Sequence, residues 1–281
     1  QRGVVRVVST ASTRFVDQSC DTAAEGDAGD AAASVSTVVA LSSALAAPPS
    51  AAITSGRDSS ITGTTVTLVN TDPLTQGVTT HAGGSLATGI TTFKRISLPG
   101  TPGESSRVDP DPHLASLALT PAELLKSYLR MPLATYKTQP ATVIVDCSTD
   151  CANRLNNAVQ GNPGRIVWVD GPMVLSADLS LGSDGEPALI VVDGDILISS
   201  TSLDVVGLLY GMRDMALTGT TVQVRGAVVA ARNFSRVGTT TTVEYNPAHL
   251  TQPTLIPPVL TQLRLASGSL VRVPGSWRDF P

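Results

Sequence analysis

Aromatic side chains are scarce in this sequence, 4% of 281 residues, and charged ones make up only 15%. A compact β-sandwich core leans on large aromatic anchors. A core here has to be built instead from thin layers of small and β-branched side chains, which Ala, Val, Thr, Ser and Gly supply. Stacked short strands suit such layers, and the length allows one elongated domain or two compact ones. No run of Lys or Arg occurs, the net charge is −4 and the pI about 5.3. Nucleic acid binding needs clustered cations, so the charge balance argues against that partner. Long apolar runs are missing too. A bilayer-spanning helix takes about 20 apolar residues, and the nearest candidate, 31–47, is broken by Ser34, Ser36, Thr37, Ser42 and Ser43. Residues 1–17 carry Arg2, Arg6 and Arg14 and no apolar core, so they are no signal peptide. With no initiator Met at the start, a processed N-terminus is expected.

Cysteine is rare and odd in number: Cys20, Cys147 and Cys151. The last two stand in Asp-Cys-Ser-Thr-Asp-Cys, a spacing that suits a small disulfide-closed loop. Zinc is the alternative, but it asks for four ligands. The three histidines, His81, His113 and His249, fall in no C-x2-C or H-x3-H arrangement. Neither metal nor cofactor is expected.

Along the chain, 3–13 is rich in Val and reads as a strand. Val35, Val38, Val39 and Leu45 share one stripe of a helix that Asp30 could cap and that Pro48 must end, so 23–47 is expected to be an Ala-rich helix. From residue 51 short runs of Thr, Val and Ile alternate with Gly, Asn and Asp, at 60–69, 77–80 and 89–98. A loop with Pro99, Gly100, Pro102, Gly103, Pro110 and Pro112 follows. Thr120-Pro-Ala-Glu123 predicts a capping box opening a helix whose apolar face is Leu124, Leu125, Tyr128 and Leu129. A second helix is expected over 149–159, and these two bracket a run, 141–145, that looks buried.

The strongest pattern lies in 165–237. Val167-Trp-Val-Asp-Gly171 followed by Met173-Val-Leu-Ser176 can be laid over Ile190-Val-Val-Asp-Gly194 followed by Ile196-Leu-Ile-Ser199, a step of 23 residues (194 − 171). Looser copies surround Gly207-Leu-Leu-Tyr-Gly211 and Gly226-Ala-Val-Val-Ala230. Such a repeat of short strands and Gly-marked corners predicts a mainly β fold, a β-helix or β-solenoid of right-handed coils with a few short helices, one of them capping a solenoid end. Each coil has an inward stripe that only a neighbouring coil can bury. Asp170, Gly171, Asp193 and Gly194 are its expected corners, since both residue types tolerate unusual backbone angles there. The expected organisation is an N-terminal strand and capping helix over 1–50 and a solenoid over 51–252 with a helical loop at about 113–160. An extended segment over 253–281 completes it.

β-Helices often cleave polysaccharides, and the acids to test are Asp170, Asp193, Asp195, Asp204 and Asp214. Asp170 and Asp193 should stack about 5 Å apart, yet both precede Gly in turns, which explains them without catalysis. Stacked carboxylates could also attract calcium, although the calcium-roll repeat is absent. Neither G-x-S-x-G, G-K-[ST] nor G-x-G-x-x-G occurs, and the histidines show no partner pattern. Trp168, inside an apolar strand, is expected in the core; Trp277 could stack on a ligand or simply pack.

Several segments taken together resemble the ectodomains of PilX-like minor pilins of type IV pili. They are Ala46-Ala-Pro-Pro-Ser-Ala-Ala-Ile-Thr54, Ile61-Thr-Gly-Thr-Thr-Val66, Val69-Asn-Thr-Asp-Pro73, and Pro187-Ala-Leu-Ile-Val-Val-Asp-Gly194 through Gly207–Gly211 and Gly226–Ala230 to Tyr245-Asn246. The last is Val273-Pro-Gly-Ser-Trp-Arg-Asp-Phe280. Each is short, but their order is specific. The resemblance implies a non-enzymatic bacterial protein, periplasmic before assembly and then part of the extracellular pilus. Its partners would be other minor pilins and a PilY-type tip adhesin, with membrane attachment through an apolar N-terminal helix that is not among these residues. The partner of Cys20 would lie upstream with it. A carbohydrate-binding or carbohydrate-cleaving β-helix is the alternative, and a DNA-binding minor pilin for uptake the third.

Overall fold

Gly-marked corners fold the middle of the chain into stacked rungs, and the computed structural model describes residues 4–12, 32–42, 45–139, 142–163, 165–251 and 269–272. In chain order, β1 (Val4–Ser12) and β2 (Ala32–Ser42) precede β3 (Ile53–Ser55), β4 (Ser59–Val69), β5 (Thr80–Ala82), β6 (Leu86–Ile96) and β7 (Arg107–Val108). Three helices follow, α1 (Pro112–Leu117), α2 (Pro121–Leu129) and α3 (Leu133–Lys137), then β8 (Thr142–Asp146) and α4 (Cys151–Gly161). The next strands are β9 (Ile166–Asp170), β10 (Met173–Leu175), β11 (Leu179–Leu181), β12 (Ala188–Val192), β13 (Ile196–Ile198), β14 (Ser202–Gly211), β15 (Met215–Leu217), β16 (Thr221–Ala230) and β17 (Phe234–Glu244). α5 (Ala248–Thr251) and β18 (Ser269–Arg272) come last.

The chain divides into two units, one of Gln1–Ser42 with Ser269–Pro281 and one of Ser43–Gly268. The first holds a three-stranded antiparallel sheet in the order β1, β2, β18. Here the helix expected over 23–47 is corrected: Ala32–Ser42 is a strand, and 23–31 lies outside the described residues. Val and Thr lose side-chain freedom in a helix, and a partner strand was available, with Val39 beside Val5 and Val35 beside Ser9. The strand and helix assigned to capping therefore pair with each other, in a sheet of their own. Ser269–Arg272 likewise pairs with β2.

The second unit is a parallel β-solenoid with three faces. β8, β9, β12, the second halves of β14 and β16, β3, β5 and β7 stack on the first. β10, β13, β15 and the starts of β17, β4 and β6 form the second. β11, the starts of β14 and β16, and the ends of β17, β4 and β6 form the third. Val192 stacks on Val169 and Ile196 on Met173, the predicted register; later rungs shorten to 19 residues. Chain order and stacking order differ. β3 and β4 dock onto β16 and β17, so the first rung in sequence lies against the last.

The first face is buried on both sides, which is why its strands read as continuous apolar runs rather than alternating ones. Inside lies the core. Outside, α1 to α3 carry the chain back along the stack: Asp111 N–H bonds Ala82 O, Tyr128 meets Tyr210 edge-on with ring centroids 6.1 Å apart, and Lys137 reaches Trp168. The third face alternates, burying Leu203, Val205, Val222 and Val224 and exposing Ser202, Thr221 and Gln223.

α2 begins at the predicted Pro121, but the Thr120 hydroxyl makes no capping bond; only its carbonyl does, to Glu123 and Leu124 N–H. Burial of Leu124, Leu125 and Leu129 holds the helix instead. α4 is the capping helix, packed on β8, β9, β10 and β11 with Cys151, Leu155 and Val159 turned inward at i, i+4 and i+8. The run 141–145, expected to be buried, is an edge: among its described residues only Val145 is buried, and Ile144 is 54% exposed.

Candidate functional site

At the predicted corner Gly171 takes a φ of +94°, and a Cβ on Gly194 would fall 2.7 Å from the Gly171 carbonyl carbon. Two glycines are stacked in contact, one rung apart. Asp146, Asp170 and Asp193 follow one another on this corner, since Asp146 is the register partner of Asp170 and Asp193 N–H bonds Val169 O. Lys137 lies among them, its Nζ 2.8 Å from Asp170 and 3.8 Å from Asp193. A cation attracted to this corner would meet the ammonium already there. Among the described residues no group of three or more His, Cys, Asp or Glu is placed to hold a metal ion.

The remaining acids belong to other corners. Asp195 Oδ1 accepts from Asp214 N–H at 3.1 Å, and Asp214 Oδ1 accepts from the N–H and side-chain amide of Asn233 at 3.0 and 2.9 Å. Asp58 continues the pattern with Ser85, whose amide and hydroxyl together hold the carboxyl below its ordinary range. Each side chain thus ties one rung to the next. Asp204 lies on the third face, 4.0 Å from Arg225, which also bonds Asp184 at 2.8 Å; His249 stands 3.5 Å from the same Asp184 oxygen. The five acids are therefore divided among three places: Asp170 with Asp193 around Lys137, Asp195 with Asp214, and Asp204 beside Arg225.

Trp168 is fully buried, as expected for core. Its Nε1 and the Tyr210 hydroxyl lack hydrogen-bond partners among the described residues, so neither side chain ties the helices to the first face by a hydrogen bond. Cys147 and Cys151 form a disulfide. Cys20 and Trp277 lie outside the described residues.

Sequence reasoning missed one trio. Ser50 Oγ stands 3.4 Å from His81 Nδ1, and His81 Nε2 stands 2.7 Å from Asp111 Oδ2. The order is that of a nucleophile, base and acid, yet Asp111 also caps α1 through His113 N–H at 2.8 Å. The trio clamps the start of α1 to rung β5. Asp111 in Asp-Pro-His was a legible N-cap; its partner His81 was not, being 30 residues away.

A polar cleft of about 330 Å³ opens between α4 and β11, lined by Asn156, Gln160, Ser180, Ser183 and Glu186 among others. Among the described residues no helix is long and apolar enough to cross a membrane. The architecture is that of a parallel β-solenoid protein. No family model, curated protein or solved structure matches the chain.

Proposed function

We propose that this chain is the outer part of a minor pilin of bacterial type IV pili, non-enzymatic, acting in pilus assembly or in presenting a tip complex. One observation carries the reading. Parts of the segments that resemble PilX-like pilins, far apart in sequence, meet at one seam: Ile53 pairs with Val228, and Tyr245 N–H bonds Val69 O. The corner acids support it by serving structural contacts to Lys137 and to backbone amides. The Cys147–Cys151 disulfide suits an oxidising compartment such as the periplasm and the cell exterior. In this reading the partners are other minor pilins and a PilY-type tip adhesin, and an upstream apolar helix supplies the anchor.

Deleting the gene in its own bacterium should abolish or thin surface pili, counted by electron microscopy. Wild type and the Asp170→Asn/Asp193→Asn double variant should restore them equally. Unchanged piliation in the deletion strain would refute the proposal. The cleft beside α4, with its amide and hydroxyl lining, favours carbohydrate binding as a second reading. Retention on a polysaccharide column, lost on Gln160→Ala with Glu186→Ala, is its test.

A further inference from the structure

We infer that the outer edge of β8, which pairs with no strand among the described residues, is a docking site for an extended segment of a partner protein, which joins the first face as an added strand. The direction of the backbone groups comes from the neighbouring rungs. Asp193 N–H bonds Val169 O, so on β9 the groups of Val167 and Val169 face β12 and those of Trp168 face β8. On β8 they are met by Val143 and Val145, which turns both the N–H and the C=O of Ile144 to the open side. Of the groups flanking it, Thr142 N–H bonds Gln139 O at 3.0 Å, and Asp146 O accepts from Arg154 at 3.3 Å. One complete donor–acceptor pair is left for a visiting strand.

Side chains point the same way. Ile144, Trp168, Val191 and Tyr210 form one outward column. The last three are fully buried, while Ile144 is 54% exposed. The opposite end of the solenoid is built differently. On β6 the exposed Lys94 is followed by Arg95, which continues the inward column of Val243 and Leu68, lies 4.0 Å over the Phe93 ring and pairs with Glu104. Leu86 N–H is taken by Asp109. An edge lysine and an inward charge block strand addition. β8 carries Val143-Ile-Val145 with no such guard.

The occupant is a partner's strand and not a second copy. Self-pairing would bury one five-residue strand per copy, far short of the roughly 800 Å² per partner of a stable interface. An extended segment needs only backbone pairing and one side-chain contact to dock. Ile144 asks it for a branched apolar residue, and Asp146, whose side chain is 61% exposed although Arg154 stands 3.4 Å from it, for a Lys or Arg at the next outward position. The inference rests on the geometry of β8 and not on the pilus reading, so its failure leaves that reading standing.

The probe is a fluorescein-labelled peptide, Arg-Ile-Val-Trp-Val-Lys, which copies β9 with a basic end. With the full chain we expect a saturable rise in anisotropy and at least tenfold slower exchange of the Ile144 amide. Ile144→Lys should weaken binding at least tenfold; since Ile144 is half exposed, this variant should fold, as circular dichroism will show. Peptide N-methylated at alternate residues makes the same test on unaltered protein and should also bind at least tenfold more weakly. No saturation up to about 1 mM, or equal binding by the variant and the methylated peptide, overturns the inference.

Discussion

Arg236 lies inside the solenoid with none of its surface exposed, in the inward column between Leu217 and Ile61. Its guanidinium donates to the carbonyls of Leu217, Gly219, Thr220, Val237 and Thr240 and to the Thr241 hydroxyl. Burial pulls its pKa down to about 10, which leaves it charged at neutral pH. Arg236→Met removes every donor at once and strands corner carbonyls away from water. We expect it to cost about 3 kcal/mol, read from urea unfolding. A second residue-scale effect depends on pH. Asp109 is held below the usual 3.8 chiefly by the Arg107 guanidinium at 2.6 Å. For Asp111 burial pulls upward, but hydrogen bonds from His81 and the His113 and Leu114 amides outweigh it. A carboxylate with a lowered pKa stabilises the fold above its unfolded value and stops doing so as pH falls through its folded one. Below pH 3.8 the β5–α1 corner should therefore loosen first. The amides of Leu86 and His113, which donate to these carboxylates, should lose exchange protection before that of Ile190. Asp111→Ala should cost about 1 kcal/mol at neutral pH as a lost cap.

Among the elements, α4 depends most on a covalent tie. Its start has Asp150 in the left-handed region and no side-chain cap, while the disulfide joins Cys147 to its first residue, Cys151. Closing so short a loop stabilises by about 2 kcal/mol on the chain-entropy account. Urea unfolding with and without reductant should differ by that amount, and a Cys147→Ser/Cys151→Ser variant should match the reduced protein. Helices α2 and α4 were legible because Pro, Asn and Gly punctuate them and their apolar residues recur at helical spacing. The stripe Val35, Val38, Val39 and Leu45 misled for a physical reason. Its spacing fits one face of a helix, whereas in a strand Val38 falls on the opposite face from Val35 and Val39; the decision came from pairing with β1, more than twenty residues away. α1 and α3, of six and five residues, are too short to show a period.

On the scale of the molecule, the solenoid unit is an insertion between two paired strands. Ser42 and Ser269 are register partners, and within the solenoid unit Tyr245 Oη donates to Pro49 O at 2.7 Å, joining its first and last described segments. The fragment 45–251 should accordingly fold by itself, with β-type circular dichroism and one cooperative urea transition. The fragment 45–111 should stay unfolded, because β3 and β4 take their partners from β16 and β17. A folded 45–111 would contradict that account of the seam.

The amino-acid order alone determined the rungs of 165–230. Asp-Gly and lone Gly mark corners, apolar runs mark strands, and both are local properties that neighbours along the chain express without help. It did not determine where 51–108 stack, which acids meet, or that Ser50, His81 and Asp111 come together. Those follow from closing the first rung onto the last and from helices laid back along one face. Such contacts join residues whose separation in sequence carries no period, so only the packed structure decides them.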